Sequence, residues 1–226
     1  MRVSVLLAPE AGPRPRDTAV VVDVLRATTT LTVAFEHGAA RVIPAAGAEE
    51  AFALRQRHPE ALLCGERDGR MIAGFDRGNS PFEYPPEVVA GRTLVFASTN
   101  GALALLRAAG ARRRLLAAFI NAPAVVEALR GAGAVTIVCS GKLGGFALED
   151  AACAGWLCAR LGERGARLEG AAARLARRLA PRDAAEVRTV VQGSSHGRML
   201  REMGGEFARD VDYCAGLGTL ARVPEV

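Results

Sequence analysis

Short apolar, strand-like runs alternate with alanine-rich helical runs along most of this chain. The apolar runs at 18–24, 93–97 and 135–139 predict strands, and stretches with helical periodicity follow them. This order is typical of βαβ units. It predicts an α/β fold of three layers, α/β/α, with helices on both faces of a largely parallel or mixed sheet. We expect residues 1–226 to form a single domain, with two tightly packed α/β lobes as the alternative.

Residues 65–86 interrupt this pattern with a stretch rich in Gly, Pro, Asp and Asn. Loops of that length in compact domains are usually functional or disordered, and the apolar Phe75 and Phe82 argue against disorder. The other predicted elements are strands at 41–44, 61–64, 115–120 and 220–223 and helices at 29–36, 48–57, 102–109, 123–129, 147–161, 171–179, 184–191 and 196–203.

Composition excludes several classes of protein. No apolar run approaches the ~20 residues of a membrane span, and proline and acid interrupt the N-terminal segment too early for a secretory signal. We therefore expect a cytoplasmic protein without a membrane partner. The cysteine count of five is odd and no pair has CxxC spacing, which disfavours a disulfide framework or a zinc site.

The basic balance of the chain does not predict nucleic-acid binding. The net charge is +5, but the arginines are scattered and only 5% of residues are aromatic, so stacking platforms are scarce. Of 29 basic residues only Lys142 is a lysine, a bias typical of genome composition. We expect a small anionic partner. A homo-oligomer stays open, because alanine-rich helices pack equally well on a sheet or on a second copy.

Polar residues follow five of the predicted strands directly. In an open α/β sheet, ligands bind beyond the carboxyl ends of the strands, so these residues predict one shared site. They are Asp23 and Arg26, then Glu66 and Arg67, then Thr99, Asn100 and Gly101, then Asn121, and finally Ser140 and Gly141.

Several acids near these strand ends are candidate ligands for Mg²⁺, which prefers carboxylate oxygens. Alternative roles stay open for three of them. Asp23 is either a metal ligand or a helix cap or partner of Arg26, and Glu149 and Asp150 are either ligands or first-turn acids that the helix dipole stabilises. The segment GFDRGNSP also offers Asn79 and Ser80, with ordinary turn chemistry as the alternative. The candidate metal ligands are Asp23, Glu66, Asp76, Glu149 and Asp150.

Two loops predict anion binding. The glycine-rich loop 140–145 joins a strand to a helix, and its bare backbone N–H groups suit a phosphate. The segment STNG at 98–101 has the same strand-to-helix position. Arg26 offers a planar fork for phosphate or sulfonate oxygens. Lys142 is either an anion contact or a solvated loop lysine, and the loop lacks the spacing of a Walker A motif.

Two further residues have nucleophilic or proton-transfer chemistry. His196, in GSSHGRML, is either a proton donor to a leaving group or part of a local cap with its neighbouring serines. Cys139 lacks the CxxxxxR loop of cysteine phosphatases and is assigned to the core.

An ordered set of motifs carries a family resemblance. The segments DVLRATTT, GER, GFDRGNSP, STNG, FINA and CSGKLGGFALEDAACAG occur in that order between residues 20 and 155, and the resemblance returns at SSHGRML and at residues 210–224. Together they resemble the 2-phosphosulfolactate phosphatase family of coenzyme M biosynthesis. The resemblance implies a Mg²⁺-dependent hydrolase that converts (2R)-2-phospho-3-sulfolactate to 3-sulfolactate and phosphate.

On this hypothesis Asp23, Arg26 and Glu66 are catalytic. The residues expected to bind substrate are Arg67, Asn79, Ser80, Thr99, Asn100, Gly101, Asn121, Ser140 and Gly141. Arg67 is the candidate for the sulfonate. Either metal-bound water or a carboxylate such as Asp23 is the nucleophile. Two alternatives remain: a phosphomonoesterase for another small phospho-acid, and a non-catalytic binder of an anionic metabolite. The acids disfavour the binder, because carboxylates repel a phosphate unless a cation intervenes.

Overall fold

The computed structural model describes all residues from 1 to 226 and confirms the α/β prediction. It contains two sheets where the sequence pattern predicted one. In chain order the strands are β1 (Arg2–Leu6), β2 (Thr18–Val22), β3 (Arg41–Ala45), β4 (Leu62–Arg67), β5 (Arg70–Met71), β6 (Thr93–Ala97), β7 (Arg113–Ala117), β8 (Ala134–Cys139) and β9 (Arg167–Leu168).

Ten α-helices connect and cover the two sheets, and none is long and apolar enough to cross a membrane. They are α1 (Ala27–Glu36), α2 (Ala48–Arg57), α3 (Pro86–Val89), α4 (Gly101–Ala108), α5 (Ala122–Ala128), α6 (Leu148–Glu163), α7 (Gly170–Arg178), α8 (Ala184–Gly193), α9 (Ser195–Met203) and α10 (Gly205–Cys214).

The first sheet has five strands in the order β7-β2-β8-β1-β9, all parallel. The second has four strands in the order β3-β6-β4-β5, in which only β5 is antiparallel to its neighbour. Parallel strands are covered on both faces, which explains why their sequences are nearly continuous apolar runs.

Helices α1 and α4 lie between the two sheets. Alternate residues of β2 show this: Val20 and Val22 join the core under α5 and α6, whereas Ala19 and Val21 join a second core with Leu31 of α1 and with residues of the other sheet. A small third core packs α2 on the far face of the second sheet. The layers place the carboxyl ends of β2 and β8 beside those of β4 and β6.

Helix α1 is buried on every side, including its threonines. Their hydroxyls donate to backbone carbonyls: Thr28 to Ala117, Thr30 to Asn79, and Thr32 to Thr28. Burying a hydroxyl costs free energy unless it is hydrogen-bonded, so these side chains satisfy the backbone around the helix.

The sequence pattern missed five elements and misplaced others. Strand β1 lies inside its sheet, between β8 and β9, although it is only five residues long, and α10 falls in a segment that predicted no definite helix. The short elements β5, α3 and β9 were not predicted either. The strand predicted at 220–223 does not form, because the tail meets β7 later, through a single bridge between Leu115 and Glu225. The loop 65–86 contains the end of β4, all of β5 and a 3₁₀ turn at Pro81–Glu83.

Candidate active site at the carboxyl ends of both sheets

A cavity of about 150 Å³ lies where the carboxyl ends of β2, β4, β6 and β8 meet. Four of the five predicted strand ends therefore converge, two from each sheet. The cavity has three apolar lining residues, whereas a second cavity of about 250 Å³ at the edges of β2 and β3 is mainly apolar. The polar lining residues are Asp23, Arg26, Glu66, Asp68, Asn79, Thr99, Asn100, Lys142 and His196.

Asp23 follows β2 and is buried, with one carboxylate oxygen tied to the backbone. Its Oδ1 accepts a hydrogen bond of 3.1 Å from the Ala27 amide at the start of α1. Burial raises the pKa of Asp23 from 3.8 to about 6, although Ser140, His196 and Ala27 oppose the rise. Asp23 therefore caps the start of α1, which was its predicted alternative role, and it also lines the cavity. Asp23 does not pair with Arg26.

Glu66 is held at the end of β4 by the neighbouring strand end. Its Oε1 accepts from the Thr99 amide at 2.8 Å, and its Oε2 accepts from the Gly69 amide at 2.7 Å. Both oxygens are therefore oriented by backbone donors while the carboxylate lines the cavity. This arrangement joins β4 to the STNG segment, which the sequence predicted to be an anion loop.

Arg26 lines the cavity, but its fork is largely engaged by the protein. Nη1 donates to Asp210 Oδ2 at 2.5 Å, and Nη2 donates to the Gly69 carbonyl at 2.6 Å. Its guanidinium carbon lies 5.4 Å from the ring centroid of Phe207. Arg26 therefore anchors α10 to the strand ends and has fewer N–H donors for a substrate than the sequence suggested.

The glycine-rich loop is not the bare row of N–H groups that its sequence predicted. The Ser140 amide donates to Val22, and the Gly141 amide donates to Asp150 Oδ2 at 3.0 Å. Lys142 and Gly145 exchange backbone hydrogen bonds. The loop is thus a turn in which every amide from 140 to 145 except that of Gly144 has an acceptor, and it supplies the site with a side chain, Lys142, rather than with a row of backbone donors.

The two adjacent acids of α6 have different surroundings. The Val24 amide donates to Asp150 Oδ1 at 2.8 Å, and the Ser140 hydroxyl and the Gly141 amide donate to Oδ2. Both oxygens of this carboxylate are therefore hydrogen-bonded. Burial, followed by the charges of Asp23 and Glu149, raises its pKa. Glu149 Oε1 lies 3.5 Å from His196 Nδ1, and its Oε2 is buried without a partner.

Nine of the fifteen predicted site residues do not line the cavity: Arg67, Asp76, Ser80, Gly101, Asn121, Ser140, Gly141, Glu149 and Asp150. Three of them have surroundings that differ most from the prediction. Asp76 pairs with Arg55 and accepts from the Leu63 amide, at the opposite end of β4. Asn121 is buried and binds the backbone of Ala118, Leu116 and Arg222, so its amide is fully used. Arg67 is exposed and is absent from the cavity wall.

The segment GFDRGNSP contributes less to the cavity than its sequence suggested. Asn79 lines the cavity, and its side-chain oxygen is buried without a partner. Ser80 donates to Asp210 Oδ1 at 2.6 Å and caps a 3₁₀ turn, so it supports Arg26 indirectly.

No three His, Cys, Asp or Glu side chains form a metal-binding cluster. The five predicted ligands therefore do not surround one ion, because Asp76 is distant and neither Glu149 nor Asp150 lines the cavity. Asp23 and Glu66 remain in the cavity wall together. Mg²⁺ commonly takes only one or two protein carboxylates and fills its other positions with water and substrate oxygens, so this pair fits it.

Comparison with known proteins identifies the family. The profile described as 2-phosphosulpholactate phosphatase matches residues 6–226. A protein of Carboxydothermus hydrogenoformans named "Probable 2-phosphosulfolactate phosphatase" is 40% identical, with 100% of this chain and 93% of that protein covered. The chain belongs to the 2-phosphosulfolactate phosphatase family. Its resemblance in motifs thus extends to the whole chain.

Two further members of the family bear the same printed name. One, from Symbiobacterium thermophilum, is 41% identical over 91% of this chain and 89% of its own length. Another, from Deinococcus radiodurans, is 40% identical over 99% of this chain and 92% of its own length.

The site of this family member includes residues that its sequence did not single out as site residues. Asp68 and Met199 line the cavity, and Asp210 supports Arg26 from behind. His196 and Lys142 had been weighed as possible contacts, and both line the cavity. His196 and Met199 lie on α9 and Asp210 lies on α10, and no local hydrophobic pattern predicts that these C-terminal helices approach the strand ends. The family resemblance at SSHGRML and at residues 210–224 was the available indication.

Gly101 is required by the close approach of α4 to Asp23. A Cβ added there would lie 2.4 Å from the Ala27 Cβ and 2.6 Å from Asp23 Oδ2. We expect Gly101→Ala to lower the free energy of unfolding by about 1–3 kcal/mol. Because it displaces Asp23, turnover should fall about 10²-fold. Urea unfolding and steady-state kinetics measure the two effects.

Gly133→Ala is the matched control, because a Cβ there meets nothing within 4 Å. Wild-type turnover in Gly101→Ala would show that Asp23 does not need its present position.

Proposed function

We propose that this protein hydrolyses 2-phosphosulfolactate to 3-sulfolactate and inorganic phosphate. The observation that carries the proposal is the cavity lined by two carboxylates with backbone donors, Asp23 and Glu66, together with Lys142 and His196. Its volume of about 150 Å³ suits a small acid, since pockets for drug-sized ligands are ~300–1,000 Å³. The printed names of the relatives supply the substrate.

In the proposed reaction, water attacks phosphorus and the ester P–O bond breaks. The leaving alkoxide takes up the proton that the attacking water loses, and phosphate departs. Asp23 is placed to orient or deprotonate the water, because Ala27 holds one of its oxygens and the side chain lines the cavity. The nucleophile is therefore water in this proposal, with an acyl phosphate on Asp23 as the alternative to be tested.

We propose Mg²⁺ as the cofactor, held by Asp23 and Glu66. The ion supplies positive charge that polarises the phosphoryl group. Glu66 suits this role because its orientation is set by Thr99 and Gly69 before any ligand arrives. The ion would also relieve the repulsion between these two carboxylates and a phosphate dianion.

A substrate comparison and metal removal test the proposal together. We expect turnover of 2-phosphosulfolactate to exceed that of phospholactate and 3-phosphoglycerate by at least about tenfold, since loss of one charged contact costs ~1.5–3 kcal/mol. Excess chelator should abolish turnover, and added Mg²⁺ should restore it. Equal rates on all three would identify a general phosphomonoesterase. Binding without turnover would identify a non-catalytic binder, and full activity in chelator would contradict the metal role.

A further inference from the structure

Lys142 is the only lysine among the 29 basic residues of the chain, and it lines the candidate active site. Every other basic position, including those on exposed helices, is arginine. The one lysine side chain of the chain thus lies in a cavity wall.

The backbone holds Lys142 firmly in place. Gly141 is tied to Asp150 on one side, and Lys142 itself exchanges two backbone hydrogen bonds with Gly145. The next amide, that of Leu143, donates to Asn100 Oδ1 at 2.8 Å, which joins the loop to the second sheet. The backbone position of Lys142 is thus set by contacts with the strand ends of both sheets.

The ammonium of Lys142 has no acidic partner within the protein. Its only polar contact is Met199 Sδ at 3.4 Å, and a thioether is a weak acceptor. No carboxylate lies within ion-pair distance of it, whereas Arg26, the other permanent cation of the cavity, pairs with Asp210. Lys142 therefore has no ion-pair partner, although three carboxylates, Asp23, Glu66 and Asp68, line the same cavity.

We propose that Lys142 Nζ binds an oxygen of the phosphoryl group that the enzyme transfers. Lysine binds phosphate as a compact point charge, and the fork of arginine binds phosphate and carboxylate alike. The phosphate monoester dianion carries more negative charge than the sulfonate or the carboxylate of the substrate, so a cation without an ion-pair partner in the cavity wall favours the phosphoryl group. This inference rests on the proposed function for the identity of the ligand, and it assigns Lys142 the role of offsetting the repulsion between phosphate and the cavity acids.

The single lysine allows a direct test. Reductive ¹³C-methylation of the whole protein labels only Lys142 and the α-amino group, and methylation preserves the positive charge. We expect the Lys142 methyl signal to shift saturably when inorganic phosphate is added in the presence of Mg²⁺, and to stay unchanged with methanesulfonate. A shift with methanesulfonate alone would assign Lys142 to the sulfonate and overturn the proposal.

Variants provide the second measurement. By calorimetry, Lys142→Met should weaken phosphate binding at least about tenfold, the effect of losing one charge-assisted hydrogen bond. Lys142→Arg should restore only part of the affinity. The control Arg174→Met removes an exposed charge from α7, away from the cavity, and should bind phosphate like the wild type. Unchanged phosphate affinity in Lys142→Met, with a native unfolding curve, would overturn the proposal.

The two proposals fail in different ways. Phosphate binding through Lys142 without turnover of any ester would leave the inference intact and contradict the phosphatase. Normal turnover of 2-phosphosulfolactate by Lys142→Met would leave the phosphatase intact and contradict the inference.

Discussion

Asp23→Asn is expected to lower kcat by at least about 10³-fold and, at the same time, to make the fold more stable at pH 8. The loss of turnover follows because an amide neither accepts the proton of water nor holds a cation as a carboxylate does; such groups contribute ~10²–10⁴-fold. The amide oxygen of asparagine still accepts from Ala27, so the turn before α1 is preserved.

The gain in stability follows from the raised pKa of Asp23. Folding lifts that pKa from 3.8 to about 6, mainly through burial, so the folded state binds the proton more tightly than the unfolded state. The associated stabilisation is complete below about pH 4 and is lost as the pH rises to about 6. Above that pH the charged carboxylate costs about 3 kcal/mol of folding free energy, which asparagine avoids.

Urea unfolding without added metal, at pH 4 and pH 8, measures this effect. Asp23→Asn should exceed the wild type in stability only at pH 8. Asp17→Asn is the control, since Asp17 is exposed and makes no side-chain hydrogen bond or ion pair, and it should match the wild type at both pH values. A variant that is less stable than the wild type at pH 8 would show that the Asp23 carboxylate stabilises the fold.

Asp210→Ala is expected to destabilise the protein by about 3–5 kcal/mol, because it leaves Arg26 buried without its ionic partner. The two side chains are 4% and 0% exposed, and Nη1 lies 2.5 Å from Oδ2. Ser80 also loses its acceptor. Since Arg26 binds the Gly69 carbonyl in the cavity wall, turnover of the folded fraction should fall as well.

Asp212→Ala on the same helix provides the control for this prediction. Asp212 pairs with Arg201, but the two side chains are 58% and 42% exposed. Exposed pairs contribute ~0–1 kcal/mol, so its midpoint of urea unfolding should move little. Equal midpoints for the two variants would contradict a structural role for the buried pair.

Local sequence was sufficient to predict the fold class and much of the site. Parallel strands buried on both faces must be apolar throughout, and the polar residues directly after them stand out for that reason. Asp23, Glu66, Thr99 and Asn100 were predicted from this contrast, and the cavity brings them together. The same reasoning misplaced Asn121, because a polar residue after a strand also serves to satisfy backbone groups of a turn.

The tertiary structure decided the roles of residues with more than one possible partner. Asp76 looked like a cavity acid, but Arg55 and the Leu63 amide hold it elsewhere. Arg26 was expected to pair with Asp23 or a phosphate, and it pairs with Asp210 from a helix that the sequence did not predict. Partner choice of this kind depends on distances between segments that are far apart along the chain.

The sequence by itself determined the α/β class, the strand ends that form the site and the membership of the phosphatase family, because periodicity, strand-end polarity and motif order are local properties. Only the tertiary structure decided that the strands divide between two sheets with α1 and α4 between them. It also decided that the glycine loop contributes Lys142 rather than bare amides. The physical reason is that backbone N–H groups and charged side chains have several potential partners. The packing of the layers determines which of those partners come within hydrogen-bond or ion-pair distance.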